Sequence, residues 1–106
     1  MKDNEIEKLA IRVVTLKAIS EQAYSVFEQA DSKAMQSGRE AREARLRPEM
    51  VQDIISAEKA EIEAYAVLTQ TRKEFQRAES EVELATDALW REVTRQIVAK
   101  SYTGKQ

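Results

Sequence analysis

A chain of 106 residues is enough for one domain (1–106), and with 42% apolar, 34% charged and 6% aromatic residues, 2 Gly and 1 Pro it has the make-up of long helices rather than of a thick globular core. A net charge of −2 gives the whole molecule no pull on nucleic acid or an anionic membrane, so such binding would need a local basic patch. Cysteine and histidine are both absent, which removes disulfides, thiol nucleophiles, thiolate metal sites and the commonest general base.

The opening Met-Lys-Asp-Asn-Glu is not followed by the apolar run of a signal peptide, and no stretch approaches the ~20 apolar residues that span a bilayer. The expectation is a cytoplasmic protein without a membrane segment.

Helix 1 is expected over about 4–45. Asp3 or Asn4 is a candidate N-cap, and Glu5 and Glu7 then meet the positive end of the helix dipole. From Ile6 the apolar spacing is heptad-like. Ile6, Val13, Ser20, Phe27 and Ala34 fall at position a, and Leu9, Leu16, Ala23, Ala30 and Ser37 at position d. Ile19, Tyr24 and Val26 flank this seam and widen it. Gly38 is the first breaker, but residues 39–47 are strong helix formers, so the helix is expected to run through it to about Arg45.

Pro48 suits the first position of helix 2, where its missing N–H costs nothing. That helix is expected over about 48–102, on the order of 80 Å of continuous helix, with Gly104 marking its end. Its large seam positions are Ile54, Glu61, Leu68, Phe75, Val82, Leu89 and Gln96, and its small ones Ala57, Ala64, Thr71, Ala78 and Ala85. The fold class is therefore all-α, a long antiparallel two-helix hairpin of coiled-coil character that oligomerises into a helical bundle.

A turn centred near residues 45–46 would pair positions whose numbers add to about 91, bringing Glu61 within reach of Lys33. The last turns of helix 2 would then have no partner within the chain. They carry Leu89, Trp90, Val93, Ile97 and Val98, an apolar group that marks a partner interface with a second copy or another protein. Trp is enriched among interface hot spots. Tyr24, Tyr65 and Phe75 are read as core.

Arg39, Arg42, Arg45 and Arg47 form a basic cluster at the hairpin tip and are candidates for contact with phosphate or an acidic surface. Glu40, Glu43 and Glu49 interleave with them, so a solvated, neutralised face is the competing reading. Glu58, Glu61, Glu63, Glu79, Glu81 and Glu83 supply carboxylates, but bundle metal sites of the di-iron type also need histidine. No catalytic residue, cofactor or metal is expected.

The function this predicts is that of a non-enzymatic interaction module, a scaffold, adaptor, chaperone or inhibitor that presents an amphipathic helix face to a protein partner and forms a homodimer. Small phage or mobile-element proteins fit that description, as do secretion chaperones. The alternative is a nucleic-acid-associated protein gripping phosphate through the arginine tip.

Overall fold

The computed structural model describes residues 2–104, with side chains described over 4–101. Two α-helices pack against each other as a hairpin, α1 (Lys2–Arg45) and α2 (Val51–Gly104), and there is no strand among the described residues. The chain divides into two compact units: Met1–Glu21 with Arg77–Gln106, and Gln22–Gln76. α1 already includes Asp3 and Asn4 in its first turn, so neither is the N-cap. Gly38 has no positive φ and the helix passes through it.

Within Gln22–Gln76 the link between the helices differs from expectation. Two short-range bonds tighten the end of α1: the Leu46 N–H donates to the Glu43 carbonyl at 3.1 Å and the Arg47 N–H to that of Ala44 at 3.0 Å. The Met50 N–H then donates to the Arg47 carbonyl at 3.0 Å, closing a four-residue turn with Pro48 in its second place. Pro is favoured there because its fixed φ matches the turn, and its ring disfavours helical backbone at the preceding Arg47. The Met50 carbonyl starts α2 by accepting from Asp53 and Ile54 at 3.1 and 3.2 Å. Pro48 is thus a turn residue, not the first residue of helix 2, and Asp53 is the acid in the first turn of α2.

The seam of this unit is thin. Ala30, Ala34, Ala64 and Leu68 form its buried cluster with Phe27 packed against them, and Ser37, Ala41 and Thr71 are also buried. The Thr71 hydroxyl is satisfied within its own helix, donating to the Leu68 carbonyl at 3.0 Å. Away from the turn, Phe27 and Phe75 stack with centroids 6.0 Å apart, Tyr24 tilts onto Phe75 at 5.1 Å, and the Arg72 guanidinium lies 5.8 Å above Phe27. Tyr24 and Tyr65 are exposed rather than core, and only Phe75 of that trio is even half-buried.

In the unit built from Met1–Glu21 and Arg77–Gln106, Val13, Ala78, Ala85 and Gln96 are buried, while Ile6, Leu9, Leu16, Val82 and Leu89 are half-buried. Every seam position expected from the heptads, in both helices, is buried or half-buried.

The alignment of the two seams is one heptad away from expectation. Ala30 with Leu68 and Ala34 with Ala64 give residue numbers adding to 98, not 91. In the other unit the charge of Glu5 reaches Arg95, and an open hollow is lined by Lys17 and Ser20 on α1 and by Glu79 and Val82 on α2, which fit the same alignment.

Candidate functional site

Glu61 occupies a seam position and lies against Gly38 of α1. A Cβ placed on Gly38 would lie 3.3 Å from the Glu61 Oε2, so the glycine leaves room for the carboxylate. The Arg45 side chain closes over the same place, with Nε donating to the Glu58 Oε1 at 3.1 Å and a terminal nitrogen 3.6 Å from the Glu61 Oε1. The partner of Glu61 is therefore Arg45, not Lys33.

That ion cluster takes one arginine out of the basic tip. Arg39 and Arg42 are exposed, and Arg47 lines an open hollow together with Glu40, Glu43 and Asp53. The four arginines do not converge on a point, and each unit of positive charge at the tip has a carboxylate close to it in sequence.

The expected interface residues separate into two groups. Trp90, Ile97 and Val98 are exposed by 62, 60 and 58%. Leu89 and Val93 are half-buried. With the alignment moved by a heptad, α1 covers more of α2 than expected, and Leu89 is level with Leu9 instead of running on alone. Next to these residues a polar group is well organised: Glu92 accepts from the Arg95 Nε at 3.0 Å and from the Gln96 Nε2 at 3.1 Å. The hydrogen bond and charge of Glu92, with a smaller contribution from Glu5, hold the Arg95 guanidinium above its usual range. Trp90 itself borders an open hollow with Asp87, Arg91, Thr94 and Arg95.

A second apolar group was not singled out by sequence. Val51, Ile55, Ile62 and Tyr65 of Gln22–Gln76 are all exposed, Ile62 by 70%. Their spacing of four, seven and three puts them on one side of α2, beside the seam rather than in it. Ile55 and Ile62 also share a heptad position with Trp90 and Ile97, each directly following a large seam residue. The signal was present in the sequence as a second stripe, overshadowed by the seam itself.

Among the described residues no three acidic side chains gather where they could hold a metal ion, and no helix is long and apolar enough to cross a membrane. Comparison with known proteins finds no family model, no curated protein and no solved structure that matches this chain.

Proposed function

We propose that this chain is a non-enzymatic helical interaction module, a scaffold, adaptor, chaperone or inhibitor, that works by docking the outer apolar side of α2 onto a helix of a protein partner. The first occupant of that side is a second copy of the chain, giving a homodimeric bundle in the cytoplasm.

The observation that carries the reading is the heptad position shared by Ile55, Ile62, Trp90 and Ile97. All four are large, apolar and more than half exposed, although the hairpin seam is already filled by other residues. Between them the same position holds Thr69, Gln76 and Glu83, so the apolar repeat covers two consecutive heptads at Ile55 and Ile62 and two at Trp90 and Ile97; large apolar residues recurring every seven outside the seam are the pattern of a helix with a further helical neighbour. Leaving such side chains in water forgoes about 1.5–3 kcal/mol each.

The test is the mass of the pure protein by light scattering, with Trp90→Ala and Ile97→Asp beside it. Both variants are expected to keep their helicity and to lower the mass towards the 12.1 kDa of one chain. An unchanged mass, together with unchanged capture of any partner, would refute this face. Phosphate binding through the arginine tip finds less support, because Arg45 is engaged with Glu58 and Glu61.

A further inference from the structure

We infer that the second copy binds antiparallel, so that the outer stripe of Gln22–Gln76 in one chain meets the outer stripe of Arg77–Gln106 in the other, with Tyr65 level with Trp90 and Arg72 level with Glu83. The inference rests on the docking reading above and adds to it the direction and register of the contact.

The stripe has a symmetry in its sequence. Ile55 and Ile62 stand as far before Gln76 as Ile97 and Trp90 stand after it, with Thr69, Gln76 and Glu83 between the two apolar pairs. Reversing the direction of the helix therefore lays one pair over the other and the polar middle over itself. A second row, three residues further on, holds Tyr65, Arg72, Thr86 and Val93. The two rows alternate at steps of three and four, as the seam rows of a coiled coil do, and in an antiparallel pair each row meets the other. Tyr65 and Arg72 are exposed, and Thr86 and Val93 are half-buried.

One register matches these rows in chemistry. With residue numbers adding to 155, Ile62 is level with Val93 of the second copy, Tyr65 with Trp90, Thr69 with Thr86 and Arg72 with Glu83. Apolar side chains then meet apolar ones, the hydroxyls meet each other, and unlike charges meet. Beside the stripe, Lys73 stands to Asp87 of the copy at the offset by which Arg45 reaches Glu58 across the hairpin seam. The outer layer is mixed: Glu58 is level with Ile97, and Lys100 of the same copy lies one turn beyond.

The neighbouring registers match less well. At 148, Tyr65 would meet Glu83 and Trp90 would meet Glu58. At 162, Ile62 would meet Lys100 and Glu79 would meet Glu83. A parallel copy would set Arg72, Glu79 and Glu83 each against its own like. Charge complementarity of this kind selects the arrangement more than it adds affinity. The affinity comes from the rings and aliphatic groups, and the register places a Tyr on the single Trp, two residue types enriched among interface hot spots.

The experiment uses the full chain, which has no native cysteine. Thr69→Cys and Thr86→Cys are made in separate chains and oxidised mildly, alone and as an equimolar mixture. Position 69 is level with position 86 of the copy and about 25 Å along the axis from the copy's own position 69. Each variant alone is thus expected to stay unlinked, and the mixture to give a covalent dimer. A link in either variant alone means that like positions meet, and overturns the antiparallel arrangement. A light-scattering mass near twice 12.1 kDa with no link in the mixture overturns this pairing while leaving the docking reading intact. A mass that stays at 12.1 kDa overturns both. Charge reversal supplies the second test, and it decides the matter if either cysteine lowers helicity by circular dichroism. Arg72→Glu and Glu83→Arg are each expected to weaken the dimer by about fivefold, and the two in one chain to restore it. Lack of restoration with helicity intact overturns the register.

Discussion

Gly38 is a mid-helix glycine retained without a turn or a positive φ to require it. It is buried against α2, and a glycine in a helix interior costs about 1 kcal/mol relative to alanine. The only crowding an added methyl would meet is the end of the Glu61 side chain at 3.3 Å, which can swing by a few tenths of an ångström. Gly38→Ala is therefore expected to stabilise the protein by roughly 0.5–1 kcal/mol, read from the denaturant midpoint. A loss of stability would mean that Glu61 is held rigidly. Phe75 tests the opposite case. It stacks on Phe27 and touches Tyr24, so Phe75→Asp places an unpaired charge among rings and should cost at least about 3 kcal/mol, with loss of helicity. Phe75→Leu, which keeps an apolar group, should cost less than about 1.5 kcal/mol. Pro48 shows where residue-level reading stops. Helix N1 and the second place of a turn both exploit a fixed φ and a missing N–H, so the residue alone does not separate them; the Met50 N–H bonding to Arg47 does.

At the scale of the element, the heptads of α1 and α2 were fully legible, because burial in a two-helix seam follows side-chain spacing directly. Two of the polar members find partners: Thr71 bonds back to its own helix and Gln96 to Glu92. The alignment was not legible, because a repeat of seven specifies it only to a multiple of seven. That single slip moved Leu89 from the expected unpaired end into a half-buried position. Tyr65, expected as core, is exposed for a separate reason: it directly follows the seam residue Ala64 and so lies beside the seam in any heptad alignment. If α2 uses its outer stripe for docking, Ile62→Asp should behave as Ile97→Asp does, keeping helicity and weakening association. Loss of helicity in Ile62→Asp would instead make Ile62 part of the hairpin's own support.

At the scale of the whole molecule, a net charge of −2 and an arginine tip laced with glutamates predict no salt-sensitive attachment to nucleic acid. A shift assay with duplex DNA at low ionic strength should detect no binding, and binding that weakens steeply with salt and disappears in Arg39→Ala/Arg42→Ala would restore the phosphate reading. The central claim is that the exposed apolar positions of α2 belong to an interface. The measurement that tests it most directly is the light-scattering mass of the pure chain beside Ile97→Asp. A mass near twice 12.1 kDa that falls towards a single chain in the variant is the predicted result. A native chain that stays at 12.1 kDa at high concentration, with Trp90 and Ile97 still in water and Ile97→Asp without effect on partner capture, would contradict it.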